Sequence, residues 1–172
     1  LKNPASHMAF DSNGNQALIV DGGLEALFAV DLDDGVRRIL SDSNNGSGPN
    51  LDRPFGIALD SSNGRALITD AGLLALVAVD LETGNRSIIS GSSVGGGEEL
   101  PCPREIALDS ANNRVFISDL CLQAVFQVTL STGDRTIVSD AATGIGEMFN
   151  STYGIVFDNT SGRVLLIGGN AL

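Results

Sequence analysis

The chain has 172 residues, a formal net charge of −11 and a pI near 4.2. That length fits one domain able to bury roughly 70% of its unfolded surface. The acidity disfavours phosphate backbones and anionic membranes, and no apolar run nears the ~20 residues of a membrane helix, so neither nucleic acid binding nor membrane insertion is expected. Along the chain, the predicted elements fall into copies of one pattern. Asp11, Asp60, Asp109 and Asp158 recur every 49 residues, as do Gly35, Gly84 and Gly133. The copies span approximately 4–40, 53–90, 102–139 and 152–172. Each parses into four short apolar segments, which in the second copy are 56–59, 66–69, 76–81 and 86–89. The first connection, from Asp60 to Gly64, allows an Asx turn and a positive φ. Asp70-Ala-Gly-Leu and Glu82-Thr-Gly-Asn close the next two. No segment carries a helical stripe or reaches the roughly ten residues a helix needs. The third copy repeats the second without a gap, and the fourth supplies only 154–157 and 164–167.

A fixed period of this size means stacked units that bury apolar faces on their neighbours. Four antiparallel strands per unit describe a β-propeller blade, so the expected fold is all-β: a single partial β-propeller domain of about three and a half blades. Pro54-x-Gly-Ile-Ala-Leu-Asp, then Leu67-Ile-Thr-Asp, then Val79-Asp-Leu-x-Thr-Gly-x-Arg resembles the NHL and YWTD propeller repeats. It is also similar to the gluconolactonase and strictosidine-synthase-like superfamily. The resemblance covers nearly the whole chain. It implies six- or seven-bladed architecture, with the Gly-Ile-Ala-Leu strand innermost and the Arg-Ser-Ile-Ile strand outermost. It implies no single activity, because such folds serve adhesion, signalling and catalysis alike. A closed ring needs about four blades or more. Completion is therefore expected, either by a second copy in a homodimer or by the remaining blades of a longer or further chain.

Positions that match between copies are scaffold, and positions that differ are free for function. Nine of the fifteen Asp residues sit at matching positions, so much of the acidity is architectural. Four residues before the repeated Asp stand His7, Gly56, Glu105 and Gly154; one position earlier stand Ser6, Phe55, Arg104 and Tyr153. At the start of an inner strand these side chains face the mouth of the central channel. His7, Phe55, Arg104, Glu105 and Tyr153 are accordingly the candidate binding residues, with Glu105 and His7 the candidates for catalysis. Ser6-His7-Met8 matches a cloning remnant, but Ala9 continues the repeat in register and these residues are read as native. In the gluconolactonase-like family, inner-strand carboxylates and amides hold a divalent cation, and Glu105 matches one such position, which implies Ca²⁺. A hard cation takes about six to eight oxygens. Asp21, Asp70 and Asp119 could add some, or could equally cap turns. The alternatives for Glu105 and His7 are an ion pair with Arg104 or another blade's arginine, and an exposed place near a frayed terminus.

Cys102 enters the third inner strand, and Cys121 lies in the next turn but one of the same blade, on the same face of the ring. They replace Arg53 and Gly72 of the second copy, and these paired departures favour a disulfide over two free thiols. A disulfide suits a periplasmic or secreted protein; the spacing is not a zinc motif. A lone His with no nucleophile pattern disfavours a Ser-His-Asp triad, and the glycines of 93–97 lack the Gly-Lys-Ser/Thr of a phosphate loop. Asn45, Asn85, Asn150 and Asn159 begin glycosylation sequons that an Asn- and Ser-rich chain produces by chance. Loops 41–50, 90–100 and 140–152 are long and rich in Gly, Ser and Asn, and lie on the Cys102 face. The favoured reading is a non-catalytic binding or scaffold propeller that engages a protein or glycan through this face. The alternative is a metal-dependent hydrolase of the lactonase type working at the channel mouth.

Overall fold

The structure, a computed structural model, describes residues 4–145 and 151–169. The end of the expected last blade, residues 170–172, and residues 146–150 of the third long loop with its sequon Asn150, lie outside them. The first sheet holds β1 (Pro4–Asp11), β2 (Gln16–Asp21), β3 (Ala26–Asp31) and β4 (Arg37–Ser41). The second holds β5 (Pro54–Asp60), β6 (Arg65–Asp70), β7 (Ala75–Asp80) and β8 (Arg86–Ser90). The third holds β9 (Pro103–Asp109), β10 (Arg114–Asp119), β11 (Ala124–Thr129) and β12 (Arg135–Ser139). β13 (Ser151–Asp158) and β14 (Arg163–Gly169) form a two-stranded fourth sheet. All pairings are antiparallel and follow chain order. Each first strand packs on the next sheet's first strand, β1 on β5, β5 on β9 and β9 on β13, which makes these four innermost.

Strand composition follows position in the stack. β6 and β7 lie in a sheet with a neighbour on either side, so both faces are buried and they read as continuous runs, Ala-Leu-Ile-Thr and Ala-Leu-Val-Ala-Val. Two apolar layers result. Leu18, Leu27, Ile68 and Val77 belong to one, between the first and second sheets. Leu67, Leu76, Ile117 and Phe126 belong to the other, between the second and third. The end sheets have one neighbour each. Met8 and Phe10 on β1 stay 69% and 61% exposed, and Leu165 and Ile167 on β14 stay 52% and 70% exposed. The described sheets do not close a ring.

Asp60 and Asp109, two of the repeated aspartates, each close a β-turn with an arginine. The Arg65 and Arg114 Nε atoms stand 2.8 Å from Asp60 and Asp109 carboxylate oxygens. Burial alone would raise these carboxyls, but hydrogen bonds from the arginines and from Asn63 and Asn112 outweigh it and hold both below the ordinary value. The unfolded chain therefore takes up these protons first as pH falls. The pairs stabilise fully above about pH 4 and lose that contribution as pH drops through the lowered folded-state values. Urea titrations at pH 6 and pH 3 should show Asp60→Asn shrinking the acid loss; an unchanged difference would refute this linkage.

Candidate functional site

The starts of the inner strands, where the channel mouth is expected, are shaped by a bulge. The ladder between β5 and β6 slips between Pro54 and Ile57, and the β9–β10 ladder slips at the matching place. The freed backbone groups find hydroxyls instead. Gly56 N–H donates to Thr69 Oγ1 at 2.8 Å, and Glu105 N–H donates to Ser118 Oγ at 3.1 Å. The Thr69 hydroxyl in turn donates to the Arg104 carbonyl of the next blade. The Thr and Ser of Leu-Ile-Thr-Asp and Phe-Ile-Ser-Asp thus hold open the bulge that displays residues 55, 104 and 105. β1 carries a comparable irregularity between Pro4 and Met8.

Four of the five expected mouth residues meet. His7 Nε2 lies 2.8 Å from Glu105 Oε1, so β1 is tied to β9 across the intervening β5. Gly56, the matching residue of β5, makes this possible: a Cβ there would strike the Arg104 carbonyl oxygen. The His7 ring packs against Phe55 at 4.9 Å, and the Arg104 guanidinium sits 4.5 Å above the same ring. His7 is thus a partly buried, paired residue, and the partner of Glu105 is a histidine, not an arginine. Among the described residues, nothing hydrogen-bonds the buried His7 Nδ1 and Arg104 Nε. Tyr153, 70% exposed on β13, is not among the contacts that join the other four.

This donor set does not fit Ca²⁺. Glu105 is 5% exposed and engaged by an imidazole, and the three candidate aspartates are turn caps. Asp70 accepts from Asp52, Gly72 and Leu73 N–H groups, and Asp119 from Cys102, Cys121 and Leu122. Asp21 does the same for Gly23 and Leu24. Burial pushes the Asp70 carboxyl up despite its three donors. Among the described residues, no three His, Cys, Asp or Glu side chains gather as a metal cluster.

On the neighbouring face the structure joins Cys102 and Cys121 in a disulfide, with Cα atoms 5.4 Å apart. The same face carries exposed leucines at the turns between second and third strands: Leu24 at 43%, Leu74 at 36% and Leu122 at 38%. Leu74 has φ +51°, a left-handed conformation that costs a leucine about 1–2 kcal/mol. The matching Glu25 and Gln123 have φ +52° and +50°, so the conformation belongs to the repeated turn, and the second blade places a leucine in it.

Two of the long loops, 41–50 and 90–100, are pinned by arginines although most of their residues stay exposed, which residue type alone did not reveal. Arg86, buried at the start of β8, reaches back into loop 41–50. Its Nη1 donates to Ser41 Oγ at 2.6 Å, Asp42 O at 2.7 Å and Asn45 O at 2.9 Å, and its Nε to Pro49 O at 2.6 Å. Arg135 repeats this latch on loop 90–100 through Ser90, Gly91, Val94 and Glu98. The signal was in the sequence: Arg37, Arg86 and Arg135 stand at the 49-residue interval, and so do Ser41, Ser90 and Ser139.

No protein-family model matches the sequence, and no curated protein matches it. Among solved structures, the chain resembles a chain of a nidogen/laminin complex with TM-score 0.74 at 18% identity, over 94% of this chain and 56% of that one. It also resembles an auxiliary nutrient binding protein from Bacteroides thetaiotaomicron VPI-5482 with TM-score 0.70 at 14% identity, over 93% of this chain and 44% of that one. The chain thus spans about half the length of either structure. At such identities the likeness carries the fold alone: three four-stranded blades and one two-stranded blade of a β-propeller.

Proposed function

We propose that the chain is the binding or scaffold part of an exported β-propeller that engages a protein partner through the face bearing the disulfide and the linker ends. The row of exposed turn leucines, Leu24, Leu74 and Leu122, carries this reading. Leu24 and Leu122 hold one repeat position, and Leu74 holds the next position of the same turn in the blade between them. A nidogen/laminin complex and a nutrient binding protein as structural neighbours agree with a binding role. The disulfide agrees with an oxidising compartment.

The test is retention of a partner from the extracellular or periplasmic fraction of the source cells by immobilised protein. The triple variant Leu24→Asp, Leu74→Asn, Leu122→Asp should lose that partner while unfolding no more easily. Asn tolerates φ > 0 better than Leu, so Leu74→Asn alone should raise stability by roughly 0.5–1 kcal/mol. Equal retention by wild type and triple variant would sink the reading, as would a glycan that elutes the partner from both alike.

The buried, unpartnered His7 Nδ1 and Arg104 Nε favour a second reading, in which the channel mouth takes a small ligand or, as in a lactonase-type hydrolase, a substrate. Metal analysis of protein purified without chelator separates the two. A stoichiometric divalent cation that is lost in Glu105→Gln would support the hydrolase. Metal-free protein with full stability in chelator would end it.

A further inference from the structure

The two latches leave one arginine of the series without its loop. Arg37 occupies the first sheet's version of the position held by Arg86 and Arg135, yet it is exposed where they are buried. The surrounding edge differs in the same sense. A Cβ on Gly84 or Gly133 would collide with the Leu40 or Ile89 carbonyl of the preceding blade, whereas one on Gly35 would meet nothing within 4 Å among the described residues. Leu32 is 47% exposed, while its counterpart Leu130 is 8% exposed beneath its neighbours. The edge is thus made of the same parts as the other two and lacks only what covers them.

The structure shows what an incoming segment must look like. Each latched loop begins with a serine whose hydroxyl accepts from the arginine, then makes a tight turn with a backbone bond from its first residue to its fourth. That bond is Asp42 N–H to Asn45 O at 3.1 Å in one loop and Gly91 N–H to Val94 O at 3.0 Å in the other. The turn aims two carbonyls at the guanidinium. A glycine follows and passes over the glycine of the strand turn, as Gly46 does over Gly84. The residue after that glycine lies over the one before the arginine: Ser47 N–H donates to Asn85 Oδ1, and Gly96 N–H to Asp134 Oδ1. In the first sheet that place belongs to Val36, which is 59% exposed and has no side-chain acceptor. The matching residue of an incoming loop should therefore be apolar.

We infer that the Arg37 edge of the first sheet is a docking site for a blade-linker segment of the form Ser-x₄-Gly-apolar-Gly, delivered by a further propeller blade. The chain itself shows that such a segment exists. Ser139-Asp-Ala-Ala-Thr-Gly144-Ile145 has the serine, the glycine and an apolar residue in register, and Ile145 is fully exposed. Its turn is already formed, with Asp140 N–H donating to Thr143 O at 3.0 Å although no arginine engages it among the described residues. A preformed turn loses little entropy on docking. Buried Arg37 would then meet a ring of carbonyls in place of water, as Arg86 and Arg135 do.

The test adds a further blade ahead of the first sheet. A copy of residues 103–151, with its Cys121→Ser, is placed directly before Ala5, in register with the repeat. In the unextended protein Arg37→Ala should change the unfolding equilibrium constant by less than about threefold, as for an exposed side chain. In the extended protein the same substitution should change it by about 100-fold or more, because it strips donors from buried carbonyls. The added linker should resist protease with Arg37 present and be cut in the Arg37→Ala protein. Replacing the added copy's Ile145 by Asp should weaken protection by setting a carboxylate on Val36. An Arg37→Ala effect equally small in both proteins would overturn the proposal. So would an added repeat that stays protease-sensitive while the original residues fold.

Discussion

Arg135→Ala is expected to lower the unfolding free energy by about 3–5 kcal/mol, the largest loss of any single side chain outside the apolar layers. Arg135 is 6% exposed. Its guanidinium donates to Ser90 Oγ at 2.7 Å, to Gly91 O and Val94 O at 3.1 Å, and to Glu98 O at 2.7 Å. Alanine leaves those acceptors buried with no donor and leaves a void where the stem was. Each orphaned acceptor costs about 1–3 kcal/mol where water cannot replace the lost donor. Lysine should recover less than half of the loss, since one ammonium cannot cover a carbonyl set that the planar fork spans. Arg86→Ala should behave the same way, and Arg37→Ala should stay within about 0.5 kcal/mol. Urea unfolding of the three alanine variants checks this directly. Three equal changes would mean that the arginines act through their charge or through the unfolded chain, not through the latch.

The repeat made much of the fold legible. Segments 56–59, 66–69, 76–81 and 86–89 lie in β5, β6, β7 and β8, with boundaries within a few residues, because turn residues mark the ends of short strands unambiguously. Comparing copies also isolated the mouth residues, since His7, Glu105 and Gly56 differ where the scaffold is fixed. What the comparison could not give was contact between copies. Glu105 meets His7, not an arginine, across the intervening β5, whose Gly56 lies so close to the Arg104 carbonyl that no Cβ fits there. The loops misled for a related reason. Their Gly, Ser and Asn content describes flexible surface in isolation. Those residues serve here because small side chains and bare carbonyls let a neighbour's arginine and glycine approach. A pattern inside one copy reports its own strands, and the partner that fixes it lies 49 residues away.

The second large effect is expected where a carboxylate and a disulfide hold the same junction. Asp119 bonds the Cys102 N–H through one oxygen and the Cys121 and Leu122 N–H groups through the other. The disulfide crosses the same gap between linker and turn. In the second blade Asp70 does this alone, with Asp52, Gly72 and Leu73 as donors. Because the carboxylate suffices there, the third blade should keep its structure when the disulfide is removed. Cys102→Ser with Cys121→Ser should therefore remain folded with unchanged far-UV circular dichroism. It should lose about 3 kcal/mol, the chain-entropy contribution of closing a loop across a separation of 19 residues. Asp119→Ala takes the acceptor from three part-buried N–H groups and should cost about 2–4 kcal/mol by itself. The two losses should not add. With the disulfide intact, the linker and turn stay in place and can keep ordered water on the freed N–H groups; without it, the junction parts. The combined variant should therefore lose at least about 1 kcal/mol more than the sum of the separate losses. Asp70→Ala, which has no disulfide behind it, should match the cost of Asp119→Ala measured in the double-serine background and exceed its cost in the oxidised protein. Strict additivity, with Asp70→Ala and Asp119→Ala costing the same in the oxidised protein, would show that the disulfide and the carboxylate restrain different parts of the blade.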